Sequence, residues 1–218
     1  MNEAVRAALA AWGLEPSPEA LARLEAYVAA LKAQNAVQNL VSSKDEPLLW
    51  ERHVLDSLAG AVPLRRLLKP GAAVADAGSG AGFPGLPLAA VLPELRFELL
   101  DSRVRRCDFL RQAAAAMGCA NVAVFNRRVG EGGEAAATRY AAVTERAMGH
   151  LENILPQCLN ILARGGFFLA WQSAAQLAAD RPAVAAAARR GGAGPAETFS
   201  YRLPGESADR HILVFRKG

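Results

Sequence analysis

Three groups of residues in this chain have types and spacings that could do chemistry. The first is the run Asp76-Ala77-Gly78-Ser79-Gly80-Ala81-Gly82-Phe83-Pro84-Gly85, with a second acid, Asp101, 23 residues beyond Gly78. Glycine is needed where the backbone takes a positive φ, or where a ligand must approach main-chain atoms without a Cβ in the way. An acid closing the next strand is placed to take the ribose hydroxyls of a bound nucleotide. The hexad Gly80–Gly85 matches the GxGxxG of dinucleotide sites, so NAD is one reading. Asp76 stands two residues before the first glycine, where a carboxylate can receive the cationic end of a ligand, and nothing nearby suggests hydride transfer. Those two features favour S-adenosylmethionine.

The second group is His53, Asp56 and Ser57, at i, i+3 and i+4, which places all three on one helix face. A hydrolytic triad needs its nucleophile on a sharp turn beside an oxyanion hole, and a helix offers neither. A structural network packing this helix onto the rest of the chain is the stronger expectation. The third group is the arginines. Arg103, Arg105, Arg106 and Arg111 cannot all point one way on a helix, while Arg127 and Arg128 follow a strand. Loops at the carboxyl ends of parallel strands gather on the ligand side, so Arg105, Arg127 and Arg128 are candidates for phosphate contact. A solvated helix face is the competing reading.

The elements that must position these groups are legible in the pattern. Residues 1–70 read as helical. Ser17-Pro18-Glu19 is a start signal, with Leu21, Leu24, Val28 and Leu31 behind it at helical spacing. Ser43-x-x-Glu46 has the form of a capping box. From Ala72 the texture changes. Apolar runs at Ala72–Ala77, Arg96–Leu100, Val122–Phe125, Ala141–Thr144 and Gly166–Trp171 alternate with helical stretches, which predicts βαβ units and a mostly parallel sheet. Two closing strands, Ala196–Arg202 and Arg210–Arg216, would form an antiparallel edge, and Arg189–Gly194 reads as a fraying helix end and flexible loop.

Composition bounds the function classes. The 218 residues are 52% hydrophobic and 21% charged, which excludes a disordered chain and suits one good-sized domain. No apolar run approaches the roughly 18 residues of a membrane span, and the first residues lack a secretory pattern. Cys107, Cys119 and Cys158 are odd in number and irregular in spacing, which fits a reducing cytoplasm and no zinc site. The net charge of +4 is uneven: residues 1–70 hold eight basic and eight acidic side chains, and residues 71–218 hold 17 and 13. That bias permits a nucleic-acid partner without demanding one.

The glycine signature with its Phe-Pro-Gly end resembles that of the GidB-type (RsmG) bacterial methyltransferases. Asn39-Leu40, Arg52-His53-Val54-Leu55-Asp56-Ser57-Leu58, Leu100-Asp101-Ser102, Arg106, Phe109-Leu110, Glu145-Arg146-Ala147 and Gly165-Gly166 agree in order and spacing. The resemblance implies a Rossmann-like class I α/β fold with a seven-stranded, mostly parallel sheet and an N-terminal helical cap over residues 1–70, the methyltransferase domain being 71–218. It implies methyl transfer from S-adenosylmethionine to N7 of a guanine in 16S ribosomal RNA, in the 30S subunit or its precursor, by a cytoplasmic monomer. By the same resemblance Gly78, Gly80 and Phe83 line the cofactor pocket, Asp101 and Ser102 hold the ribose, and Val129-Gly130 lies by the adenine. Arg146 stands near the methyl donor or the RNA. Two departures stand out. The family's Arg-Ala-Glu is Arg128-Val129-Gly130 here, with the nearest acid at Glu131, and Trp171-Gln172-Ser173 replaces a frequent lysine. Methyl transfer to another RNA or to a protein, and cofactor binding without turnover, stay open on these residues.

N7 of guanine carries a free lone pair, so the expected chemistry needs no general base and no covalent intermediate. Proximity and alignment are the natural source of rate, on the order of 7–11 kcal/mol for well-held reactants. No catalytic residue in the strict sense is expected, and Arg146 is the first choice for positioning the substrate.

Overall fold

The computed structural model describes residues 1–130 and 140–218, the side chains of residues 179–181 excepted. Seven strands, β1 Ala73–Ala77, β2 Arg96–Asp101, β3 Val122–Asn126, β4 Tyr140–Glu145, β5 Leu162–Ser173, β6 Ala193–Tyr201 and β7 Arg210–Lys217, form one sheet in the order β3-β2-β1-β4-β5-β7-β6. Strands β1 to β5 are parallel, while β7 runs antiparallel between β5 and β6. The strand order reverses between β1 and β4, the place where open α/β sheets bind ligands beyond their carboxyl ends. The expected architecture is therefore met, antiparallel edge included.

Two boundaries differ from the pattern. Strand β5 begins at Leu162, four residues early, because Leu162 pairs with Tyr140 before a register shift puts Phe167 opposite Ala142. Gly165 absorbs that irregularity at φ +75. The flexible loop expected at 189–194 is a tight turn instead. The helix runs to Arg190, Gly192 takes φ +71, and β6 starts at Ala193.

Among the described residues eight α-helices cover both faces. On the first are α1 Glu3–Ala11, α2 Pro18–Gln38, α3 Leu55–Leu58, α4 Ala61–Leu67, α5 Gly85–Val91 and α6 Val104–Ala116; on the second are α7 Leu151–Ile161 and α8 Ala174–Arg190. Ser17 caps α2 as expected, its Oγ accepting from Ala20 N–H at 3.2 Å. The capping box assigned to Ser43 is corrected by one position. Ser42 Oγ accepts from Asp45 N–H, and Glu46 accepts from Asn35 instead of reaching back along its own turn. A 3-10 turn at Glu46–Leu48 then runs into a π-helical segment, Leu49–Val54, that carries Arg52 and His53.

Apolar residues on opposite sides of the sheet form two cores. The larger joins Leu24, Tyr27, Leu31, Leu55 and Leu58 of the helical block to Phe97, Leu99, Phe109 and Leu110 around the sheet. Each fully buried large side chain contributes roughly 1.5–3 kcal/mol. Residues 1–70 thus share a core with the sheet. The smaller core packs α7 and α8 against Ala75, Ala77, Val143 and Phe168. Cys119 lies in the larger core, Cys158 in the smaller, and Cys107 is buried as well; all three are free thiols. Among the described residues no helix is long and apolar enough to cross a membrane, and no His, Cys, Asp and Glu cluster could hold a metal ion.

Candidate functional site

Strand β1 delivers the chain into the glycine loop, and three glycines make the turn possible. Gly78, Gly80 and Gly82 have φ of +64, +57 and +102, a region that costs L-residues with a Cβ. The loop is braced from both sides. Asp101 Oδ2 accepts from Gly80 N–H at 2.9 Å and Oδ1 from Arg103 N–H at 2.8 Å. From the helical block, Tyr27 reaches across 54 residues to donate its hydroxyl to Ala81 C=O at 2.7 Å.

Asp76 does something other than expected. Its side chain is 0% exposed, and its oxygens accept from Thr144 Oγ1 at 2.8 Å and Gly85 N–H at 3.2 Å. The reading that it receives the cationic end of a ligand is corrected. The carboxyl faces the interior and ties the loop to β4 and to the start of α5. Burial pushes it up to about 6, against the pull of those hydrogen bonds.

Beyond the ends of β1, β2 and β3 lies a cavity of about 230 Å³. It gathers Gly78, Asp101, Ser102, Arg127, Arg128 and Val129 of the predicted site, and adds Leu100, Arg103, Arg106, Ala147 and Met148. Four arginines thus surround one carboxylate, and Arg106 pairs with Asp101 at 3.5 Å. The Met148 side chain fills the space over Gly78, where a Cβ would come within 2.4 Å of its Cγ. Five predicted residues lie outside this lining, Arg146 among them. Gly80 contributes its N–H to Asp101; Phe83 is buried against Tyr27 and His53; Gly130 is exposed and packs on Gln157; Arg105 is exposed on α6. Glu131, the nearest acid to Gly130, is outside the described residues. Arg127 is partly committed elsewhere, donating to Tyr140 OH at 2.7 Å and lying over the Phe125 ring.

Arg146, leaving β4, turns the other way. Its guanidinium donates to Asp56 at 2.9 Å, His53 C=O at 3.2 Å and Ser57 Oγ at 3.4 Å, contacts His53 Nδ1, and lies 5.0 Å over the Phe83 ring. Asp56 also accepts from Tyr201 OH at 2.6 Å and from Arg210 at 3.3 Å, while its C=O takes the Trp171 indole N–H at 2.8 Å. The His53, Asp56 and Ser57 face is the structural network expected of it. Ser57 Oγ donates to His53 C=O at 2.6 Å, so no nucleophile is presented to the imidazole. Burial and the Arg146 charge lower His53 to about 4, so the ring is neutral at pH 7. Since arginine only donates, Nδ1 is the acceptor and Nε2 carries the proton. That Nε2–H is buried without a partner among the described residues.

This network forms one wall of a second cavity, of about 410 Å³, over the ends of β4 and β5 and the start of β7. Next to Arg146, at the end of β4, stands Glu145, 1% exposed. Its Oε1 accepts from Met148 N–H at 2.7 Å, its Oε2 has no partner among the described residues, and burial raises the carboxyl to about 7.

Sequence reasoning missed Tyr27, Met148, Tyr201 and Arg210, and passed over Glu145. Helical periodicity marks Tyr27 as a core position, which hides its hydroxyl's errand. Only the acid at the carboxyl end of β4, next to Arg146, carried a visible signal.

A family model for GidB, described as rRNA small subunit methyltransferase G, matches residues 20–187. A ribosomal RNA small subunit methyltransferase G of Sorangium cellulosum is 40% identical over 74% of this chain and 67% of its own. One of Rubrobacter xylanophilus is 35% identical over 99% of this chain and 83% of its own. At the level of fold, a precorrin-6y C5,15-methyltransferase of Geobacter metallireducens superposes with a TM-score of 0.54 at 15% identity, covering 75% of this chain and 88% of that one. With a family model matched over residues 20–187 and relatives alike over nearly its whole length, the chain belongs to the GidB family of small-subunit ribosomal RNA methyltransferases.

Proposed function

We propose that this protein transfers a methyl group from S-adenosylmethionine to N7 of a guanine in 16S ribosomal RNA. The observation that carries the cofactor half is Asp101 on the lining of the first cavity. Its oxygens take one main-chain N–H each and Oδ2 also pairs with Arg106 at 3.5 Å, and with about four acceptor sites on a carboxylate, capacity remains for a ribose hydroxyl. Gly78, Ser102 and Val129 stand around it, and Glu145, whose Oε2 has no partner among the described residues, lies opposite Ala77 where β1 enters the loop. These residues fit the group. Asp101 and Ser102 would hold the ribose, Val129 and Gly130 the adenine side, and Gly78, Gly80 and Phe83 would shape the pocket and loop. Met148, unbranched and flexible, can move off Gly78 to widen the space. When bound, the cofactor supplies an electrophilic methyl group on a sulfonium.

The chain's own task is to hold the base, exclude water and accommodate the positive charge that the guanine ring gains. No general base is assigned, because N7 already presents its lone pair. Arg146 positions the network at the donor–acceptor boundary. Arg103, Arg105, Arg106 and Arg128 supply the phosphate-facing charge, with Arg127 partly committed to Tyr140. The helical block, residues 1–70, caps a catalytic domain of residues 71–218 in a cytoplasmic monomer.

Calorimetry with S-adenosylmethionine and NADH, and radiolabelled methyl transfer to unmethylated 30S subunits and to free 16S ribosomal RNA, test the reading. Binding of S-adenosylmethionine alone, its loss in Asp101→Ala, and label in the RNA are expected. No label in either substrate overturns the function, and NADH binding overturns the cofactor.

A further inference from the structure

We infer that the 410 Å³ cavity beside Arg146 is the seat of the methyl-acceptor base, taking a single guanine nucleotide unstacked from its strand. The inference rests on the methyltransferase reading above and adds the site where its substrate binds.

Position is the first argument. The two cavities lie beyond the carboxyl ends of the parallel strands, on either side of the reversal in strand order. The first stands over β1, β2 and β3; the second stands over β4, β5 and the antiparallel start of β7. They share Ala147, the residue between Arg146 on the second cavity's wall and Met148 on the first's. Ala147 holds φ +62, a left-handed conformation rare for a residue with a Cβ, so the segment turns sharply where the cavities meet. Donor and acceptor atoms must come within about 3–3.5 Å for transfer, and a partition one residue thick is where two ligands can do that.

Size and chemistry agree. A volume of about 410 Å³ falls in the range of small-molecule pockets and is far too small for a stacked duplex. A base must leave its stack to enter, as in other enzymes that act on base atoms. Guanine offers donors at N1 and N2 and acceptors at O6 and N7. The lining carries both kinds of partner, several already paired: Asp45 with Arg52, Glu206 with Arg210 through both oxygens, and Asp209 with Arg202 through Oδ1, beside an amide on the nearly buried Gln172. The second oxygen of Asp209 suits N1–H or N2–H, which adenine lacks, so choice of guanine falls to it. This also explains the neutrality of residues 1–70. That block contributes Asp45, Arg52, His53 and Asp56 to the lining, mixed in sign, as a base-reading wall needs and a phosphate grip does not.

The test fills the cavity without touching the fold. Ala174 and Ala208 line it and are both exposed, so Ala174→Trp and Ala208→Trp add bulk there without displacing core residues. In the intact protein, the dissociation constant for S-adenosylmethionine is expected to stay within about twofold and the melting temperature to hold. Methyl transfer to unmethylated 30S subunits is expected to fall at least about tenfold, since displacement of a reacting base by even about 1 Å is costly. Asp209→Asn is expected to raise KM for the subunit more than it lowers kcat. Undiminished transfer in both tryptophan variants overturns the assignment. So does parallel loss of cofactor binding, because the cavity would then belong to the donor side. Absence of transfer by the wild-type protein would instead defeat the methyltransferase reading itself.

Discussion

Glu145 and Asp76 show how burial, not residue type, decides what an acid does. Both carboxyls are removed from water, and burial is the leading cause that raises Glu145 to about 7 and Asp76 to about 6. A folded-state value above the unfolded one, about 4.3 for glutamate, means the unfolded chain binds fewer protons between those pH values. Stability therefore falls as pH rises through that window. His53 runs the other way. Lowered to about 4, it contributes stability that is present above about 6.5 and lost as pH falls toward 4. Glu145→Gln isolates the first effect, because the amide oxygen keeps the bond from Met148 N–H while His53 is unchanged. Relative to the wild type, the variant is expected to be roughly 2 kcal/mol more stable at pH 8 than at pH 5. Urea melts at the two pH values measure this, and an equal difference at both would show that Glu145 does not titrate there.

At the scale of elements, the glycine loop and the helical block are positioned by a few contacts that reach across the fold. Tyr27 on α2 pins the loop at Ala81, and Trp171 at the end of β5 packs on Gly60 at the α3–α4 junction. Gly60 has no positive φ, so its lack of a side chain serves close approach: a Cβ there would lie 2.5 Å from Trp171 Cζ2. Gly60→Ala must push the indole off the Asp56 C=O or lift the helical block from the sheet. A loss of about 1–3 kcal/mol is expected, read as a lower urea midpoint with an unchanged slope. Weakened methyl transfer with intact cofactor binding should accompany it, since Trp171 lines the second cavity.

Over the whole molecule, charge is divided as the sites are. The helical block is neutral and lends mixed polarity to the second cavity, while the excess of positive charge lies in residues 71–218 and crowds the first. Arg103 and Arg105 are exposed near the end of β2, whereas Arg127 is engaged by Tyr140. Arg103→Glu with Arg105→Glu is therefore expected to weaken ribosomal RNA binding and to reduce the salt slope by about one to two, at about 0.7–0.9 per phosphate contact. Filter binding from low to physiological salt checks this, and an unchanged slope would remove these arginines from the interface. Arg127→Glu should act chiefly on stability, by cutting the bond to Tyr140.

The alternation of strands and helices, the three positive-φ glycines after β1, the Ser17 cap and the acid ending β2 were all legible in the chain as written. Each is enforced over a few residues, by side-chain period, by turn geometry or by a cap, and so leaves a local signature. The sheet order was not legible in that way, because alternation and right-handed crossovers allow both the 3-2-1-4-5 and the 2-1-3-4-5 arrangements. What only the tertiary structure decided was which polar atoms are free. Asp76 looked available and is consumed by Thr144, 68 residues away; Arg146 finds Asp56 across 90 residues; Tyr201 finds Asp56 across 145. Spacing in sequence says nothing about such pairs, because they form only where packing removes water and brings distant elements together. The same packing left Glu145 Oε2 and His53 Nε2 without partners among the described residues, and set two cavities on either side of Ala147.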